Sequence, residues 1–161
     1  MALSLTTLAR ELLKLVERSR EMPRDGREAG RRWARAYAEY AKAAQSPTSA
    51  PPAPLTIQEQ VLAAAMGVTF VSSIVSPQSA TQIANALTSF WLLPPVVFGP
   101  GLVTAVGGTA LLTAALQSVW LGNQASGLPP GAATRNIATA IDAFTRTVIV
   151  TSPGPVVGPI F

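Results

Sequence analysis

Residues 136–151 decide the fold: they read Asn-Ile-Ala-Thr-Ala-Ile-Asp-Ala-Phe-Thr-Arg-Thr-Val-Ile-Val-Thr. Ile137, Ile141 and Phe144 recur at steps of four and three residues, which is the spacing of one face of an α-helix. From Thr145 onward threonine and β-branched residues dominate, and these favour a strand or an extended helix end. The stretch therefore predicts a helix followed by an extended segment, with a boundary that the pattern does not place.

The helical part of this pattern occurs twice. Ile83-Ala84-x-Ala86-Leu87-x-x-Phe90 returns, 54 residues later, as Ile137-Ala138-x-Ala140-Ile141-x-x-Phe144. A proline- and valine-rich stretch follows each copy, at 94–100 and at 154–159. The agreement predicts an internal duplication of a helix and an extended strand, at about 79–100 and 133–159.

Further helices are predicted around the repeat. One runs from Thr56 to about Val75 and opens with a capping box, Thr-Ile-Gln-Glu. The first repeat helix runs from about Ala80 to Leu92, because Pro94 cannot continue it. A third helix is predicted from Thr104 to Leu121. These elements make 56–161 a small neutral core, rich in Ala, Thr, Gly and Pro.

The N-terminal segment 1–45 is predicted to be a charged helical hairpin. Leucines at helical spacing predict a first helix that ends near Met22-Pro23, and a second helix is predicted from about Asp25 to Ala44. The apolar stripes are narrow, so the hairpin has to dock on the rest of the chain or on a neighbouring copy. Residues 46–55 read as a stiff, proline-rich linker. The sequence therefore predicts a mainly α protein with short extended segments.

Charge is confined to the first part of the chain. The chain has 12 Lys and Arg and 8 Asp and Glu, and sixteen of these lie between Arg10 and Lys42. The 75 residues from Gln60 to Thr134 contain no charged residue. A soluble surface is normally about a quarter charged. This stretch therefore requires another cover, which could be lipid, other subunits, or a surface of Thr, Ser, Asn and Gln.

The residue types argue against catalysis. The chain has no Cys and no His, so disulfides, the usual zinc ligands and the usual nucleophile and base are missing. Beyond the hairpin the only acids are Glu59, which is explained as a helix cap, and Asp142, which is spaced to pair with Arg146. We expect a protein that is not an enzyme, with no cofactor, metal or small-molecule substrate.

A basic band on the second helix could contact phosphates. Arg27, Arg31 and Arg35 lie four residues apart, and Trp33 and Tyr37 alternate with the last two of them. The stronger interpretation is a set of solvated ion pairs, because acids lie three or four residues from the arginines: Glu21, Glu28 and Glu39. Non-specific nucleic-acid contact is the lesser alternative.

Large aromatic residues are the candidate anchors of subunit contacts. Aromatic side chains at the ends of apolar helices belong either to a core or to an interface. For an assembling protein we predict these interface anchors: Trp33, Tyr37, Trp91, Phe98, Trp120, Phe144 and Phe161.

The last half of the chain, from about Pro77, resembles the small structural proteins of tailed bacteriophages and related phage-like particles. The residues that carry the resemblance are 136–151, quoted above, and the closing Pro-Val-Val-Gly-Pro-Ile. The resemblance implies a virion protein made in the host cytoplasm, in the head decoration, neck, tail or baseplate. Its partners would be copies of itself and other virion proteins.

A membrane-active protein of the holin type, in the inner membrane, is the alternative. The apolar runs Val61–Val75 and Gly101–Leu121 are of the right order of length for buried or spanning helices. Proline and glycine interrupt the sequence between them, which would leave unpaired carbonyls in hydrocarbon. The sequence also leaves open whether the C-terminal tail docks on its own chain or on another.

Overall fold

The computed structural model describes residues 3–16, 23–72, 77–127, 129–154 and 156–161. The helices of this part are α1 Leu5–Val16, α2 Gly26–Ala41, α3 Thr56–Ser72, α4 Pro77–Leu92, α5 Thr109–Ser126 and α6 Pro130–Thr145. The strands are β1 Val97–Phe98, β2 Gly101–Val106, β3 Val148–Thr151 and β4 Val157–Pro159. The prediction of a mainly α protein with short extended segments is confirmed.

The helices contact one another in chain order. Each of α1 to α5 packs on the next helix, and α1 also packs on α6, so the contacts run round a closed ring. The four strands form one antiparallel sheet in the order β1-β2-β3-β4. Its inner face adds Phe98, Val103, Val148 and Val150 to the same buried cluster as the helices. One hydrophobic core therefore serves the whole described chain.

Glycines bring α2 and α3 into close contact. A Cβ added at Gly30 would lie under 3.0 Å from the backbone of Gly67, and one added at Gly26 would lie 2.8 Å from the Phe70 carbonyl carbon. Because neither position has room for a side chain, the two backbones approach directly. Asp25 caps α2, since its carboxylate accepts the Glu28 N–H at 2.7 Å. The close approach of Gly30 to Gly67 sets the orientation of α2 on α3.

One helix prediction, Thr104 to Leu121, is wrong at both ends. Residues 104–106, expected to open a helix, lie in strand β2, and α5 begins at Thr109; it also runs past the predicted end at Leu121, to Ser126. The burial of β2 alternates at first, with Leu102 exposed and Val103 buried, and β2 pairs with a strand on each side. Gly108, with φ of 73°, provides the turn between strand and helix. Long-range pairing with β3 therefore overrides the local pattern.

The N-terminal hairpin docks on its own chain. Leu8 and Leu12 of α1 are buried, as are Tyr37 and Tyr40 of α2, and all four belong to the common core. Docking on the rest of the chain is therefore the alternative that the structure shows. The predicted end of α1 near Met22 lies outside the described residues, as does the predicted end of α3 at Val75.

The proline-rich linker and the tail also lie on the core. In the linker, Ala53 N–H donates to the Val97 carbonyl at 2.8 Å. In the tail, Phe161 and Gln45 exchange two backbone hydrogen bonds, of 2.9 and 3.1 Å, and Ile160 is buried. Strand β4 covers the edge of β3, where a proline-rich strand is tolerated. The tail therefore docks in cis.

The two copies of the predicted repeat have similar surroundings. In α4 all five matched positions are buried, and in α6 the matched positions are buried or half-buried. Each helix leads into an antiparallel hairpin, α4 into β1-β2 and α6 into β3-β4. The duplication itself stays a prediction.

Candidate interaction surfaces

Most of the predicted anchors lie inside the chain's own core. This holds for five of the seven: Trp33, Tyr37, Trp91, Phe98 and Phe144. A buried side chain presents no surface to another subunit, so the structure corrects their role from interface to core. Trp120 is half-buried on α5, and Phe161 is exposed. Only these two could contact a partner in this conformation.

Tyr37 is the centre of a buried aromatic cluster. Its ring lies 5.0 Å from that of Phe90 and 6.5 Å from that of Trp91, both edge-on, and Trp33 stacks on it at 6.2 Å between centroids. Trp91 stacks in turn on Phe98 of β1 at 6.3 Å. Such pairs add about 0.5–1.5 kcal/mol each beyond the area they bury. The cluster joins α2, α4 and the sheet.

A directed chain of hydrogen bonds runs through this cluster. Trp91 Nε1–H donates to the Tyr37 hydroxyl at 2.8 Å, and that hydroxyl lies 2.9 Å from Thr145 Oγ1. Thr145 donates its only hydroxyl proton to the Ile141 carbonyl at 2.8 Å. Tyr37 must therefore donate to Thr145. These hydrogen bonds satisfy three buried polar groups: the Trp91 N–H and the hydroxyls of Tyr37 and Thr145. Burial also raises the pKa of Tyr37.

Asp142 is occupied by structural partners. It accepts the Tyr40 hydroxyl proton at 2.5 Å and forms an ion pair with Arg146 at 2.9 Å, which confirms the predicted pairing. Burial, with the hydrogen bond to Asp142, raises the pKa of Tyr40. The other acid of residues 56–161 is Glu59, which lines a groove with Arg31 and Arg35. Among the described residues no three Asp, Glu, His or Cys side chains group together as metal ligands would.

The basic band of α2 is only partly paired. Glu28 pairs with Arg32 at 2.7 Å, and Glu39 pairs with Lys42. Arg27, Arg31 and Arg35 are exposed on one face of α2, about 6 Å apart along the axis, and none has an ion pair within the described part of the chain. Glu21, the third predicted acid partner, lies outside that part. The band is therefore a row of available guanidinium groups.

The outer face of α3 carries an apolar stripe that sequence reasoning missed. Ile57, Val61, Ala64, Val68 and Val71 are all exposed, Val68 by 68% and Val71 by 64%. Their spacing of 4-3-4-3 residues is that of a coiled-coil seam, and it can be read in the sequence. We call these five residues the α3 seam. Beside it runs a groove of about 540 Å³, lined by seam residues and by Arg27 and Arg31 of α2.

The outer face of the sheet is a second exposed apolar surface. Val97, Leu102, Thr151 and Val157 lie opposite one another, one from each strand, in a row across the sheet. Leu102 is 44% exposed and Val157 is 60% exposed. The row contains no charged side chain. We call these four residues the sheet row.

Helix α5 adds a third such surface. Leu111 and Leu121 point outward, Leu111 with 76% of its surface exposed. The helix contains no charged residue. The neutral middle of the chain therefore keeps apolar side chains on its outside.

None of the described helices is long and apolar enough to cross a bilayer. Searches against protein-family models, curated proteins and solved structures give no match.

Proposed function

We propose that this protein is a non-enzymatic structural subunit of a tailed-phage virion or phage-like particle, acting through contacts between many copies. The observation that supports the proposal best is the sheet row, an exposed apolar strip on a sheet without charged residues. Exposed apolar patches of this kind mark interaction sites, because their burial is favourable and their exposure promotes association.

Copies of the same chain are suitable occupants for this face. Two neutral faces meet without like-charge repulsion, and the hydroxyls of Thr104 and Thr151 already share a hydrogen bond of 2.8 Å. The sheet edges are poor sites for strand addition, since β1 has two residues and β4 ends in proline. Association through the face is therefore favoured over association through an edge. Repeated in a particle, modest contacts of this kind add up.

Light scattering in detergent-free buffer, across a concentration series, tests the proposal. We expect discrete oligomers or particles, which electron microscopy would then show as regular assemblies. Leu102→Lys places a charge in the middle of the sheet row, and it should reduce the mass towards that of the 16.7 kDa chain. Gln82→Lys, on the exposed polar side of α4, is the matched control and should leave assembly unchanged. A wild-type monomer at every concentration, or equal effects of both lysines, would contradict the proposal.

A further inference from the structure

We infer that the groove between α2 and α3 binds an amphipathic helix of a partner protein, with its apolar face on the α3 seam and acidic side chains towards Arg27 and Arg31. This surface is separate from the sheet row. The inference therefore concerns a different partner from the self-contacts proposed above, and it does not depend on them.

The width of the seam indicates a helix as the occupant. At 3.6 residues per turn, the five seam residues fall within an arc of roughly 80°. An apolar strip this narrow, spaced 4-3-4-3, matches the seam at which one helix packs on another. A membrane surface would instead match a broader apolar face. The exposed part of α3 therefore has the form of a helix-binding site.

The arginines indicate the charge of that helix. Arg27 and Arg31 line the groove together with Val68 and Val71, and they have no ion pair within the described residues. In paired helices, charges beside the seam select the partner and its orientation. A partner with Glu or Asp beside its apolar stripe would give each guanidinium a carboxylate. The groove therefore selects an acidic flank.

A second copy of α3 would not supply those acids. The only charged residue of α3 is Glu59, which lies on the α2 side of the helix beside Arg31 and Arg35. If two α3 helices met antiparallel about a twofold axis, the arginine rows would lie on the same side and repel. If they met parallel, each row would face a flank without charge. The arginines are therefore better satisfied by a different chain.

Nucleic acid fits this groove less well. Phosphates would pair with Arg27 and Arg31, but on the opposite wall only Gln60 offers a side-chain hydrogen-bond donor, and the other α3 residues there are apolar: Ala63, Ala64, Gly67, Val68 and Val71. A ligand that uses both walls must be apolar on one side and anionic on the other. An acidic amphipathic helix has both properties.

Fluorescence anisotropy with a designed probe tests the inference. The probe is a labelled synthetic helix of about three heptads, with Leu at its seam positions and Glu on the flanks. The matched probe carries Lys in place of each Glu. We expect the Glu helix to bind and the Lys helix to bind at least about tenfold more weakly. The affinity for the Glu helix should fall as salt rises.

Two pairs of variants locate the binding. Val68→Asn and Arg31→Gln should each weaken binding of the Glu helix by about tenfold, since each removes one kind of contact. The matched controls are Leu121→Asn on α5 and Arg135→Gln on α6, which replace an exposed aliphatic residue and an exposed arginine elsewhere. They should bind as the wild type does. Circular dichroism confirms that every variant is folded.

Four outcomes would overturn the inference. The first is equal binding of the Glu and Lys helices, and the second is equal losses in a variant and its control. The third is that a double-stranded DNA oligonucleotide displaces the Glu helix, and that Arg31→Gln weakens DNA binding while Val68→Asn does not. This result would assign the arginines to nucleic acid. The fourth is a drop in assembly mass for Val68→Asn with no binding of the Glu helix, which would assign the seam to a second copy.

Discussion

The buried cluster around Tyr37 and the outer face of α3 are both apolar, but they differ in residue type. The cluster contains the large aromatic side chains, and their polar atoms are satisfied by the hydrogen-bond chain from Trp91 to Ile141. The α3 seam consists of Val, Ile and Ala, and it is exposed. The comparison teaches that in this protein the aromatic residues hold the monomer together, whereas small aliphatic residues form the candidate contact surface.

Removing an aromatic side chain from the core is the most severe test. Trp91→Ala should lower the free energy of unfolding by about 3–5 kcal/mol, because it opens a cavity and removes the donor to Tyr37. Chemical denaturation followed by circular dichroism measures the change. Trp120→Ala, at a half-buried position, should cost less. A folded Trp91→Ala variant of unchanged stability that fails to assemble would restore Trp91 as an interface anchor.

Adding a side chain at Gly30 tests how closely α2 and α3 must pack. Gly30→Ala should destabilise the protein by about 1–3 kcal/mol, because its Cβ would collide with the Gly67 backbone. Gly122→Ala is the matched control in α5, where a Cβ meets nothing within 4 Å. It should raise stability by about 0.5–1 kcal/mol through helix propensity. Similar thermal shifts for the two variants would rule out the close contact.

The buried hydrogen-bond chain can be broken with little change of shape. Tyr37→Phe removes one hydroxyl and leaves the Trp91 N–H without its acceptor, so we expect a loss of about 1–3 kcal/mol. Denaturant unfolding measures it, with Thr139→Val as a control at an exposed threonine of α6. A loss for Tyr37→Phe no greater than that of the control would show that the chain of bonds is not important for stability.

Alkaline pH probes the same interior without a substitution. The chain has two tyrosines, both are buried, and burial raises the pKa of each above its ordinary value of 10.0. Above pH 10 the unfolded chain loses phenol protons that the folded chain keeps, so stability is present below this pH and is lost as the pH rises. The loss should be about 1.4 kcal/mol per pH unit for each tyrosine.

Tyrosinate absorbance and helical circular dichroism, recorded together, check this prediction. The two signals should change in one cooperative step, because a phenolate forms only when the core opens. A tyrosinate signal that titrates near pH 10 while the helices remain intact would show that the tyrosines are accessible.

Substitution on the seam should have the smallest effect on folding. Val68→Asn should change the free energy of unfolding by no more than about 0.5 kcal/mol, because Val68 is exposed and the two residues have similar helix propensities. Thermal unfolding of the isolated chain measures it. A loss as large as that of Tyr37→Phe would mean that the seam supports the monomer, which would remove the contrast between the two regions.

Local sequence patterns predicted much of the secondary structure. Apolar spacing, apolar runs and a capping box indicated each of the described helices, and Pro94 marked the end of α4. The β-branched run near Thr151 became strand β3, and the proline-rich tail formed an edge strand. The patterns failed at residues 104–106, where a strand is stabilised by pairing with β3, about 45 residues away in the chain. The helix prediction from Thr104 to Leu121 used local spacing alone, and local spacing does not reveal a pairing with a distant strand.

The candidate surfaces were predicted less well than the fold. Composition identified the neutral middle, the basic row of α2 and the aromatic residues, but five of the seven aromatic residues expected at an interface lie in the core. The 4-3-4-3 spacing of the α3 seam is visible in the sequence, but it does not show that the seam is exposed, because an identical stripe could face the core. Leu62 and Met66, on the opposite side of α3, fill that core.

The sequence by itself determined most of the helices, the absence of thiol and imidazole chemistry, and the segregation of charge, since these depend on residue identity and near neighbours. Tertiary structure alone decided which apolar faces are covered. The close approach of Gly30 to Gly67 orients α2, the linker and tail settle on their own chain, and the α3 seam and the sheet row remain outside. Burial is a property of contacts between distant residues, and a single chain can bury only the faces that its own packing brings together.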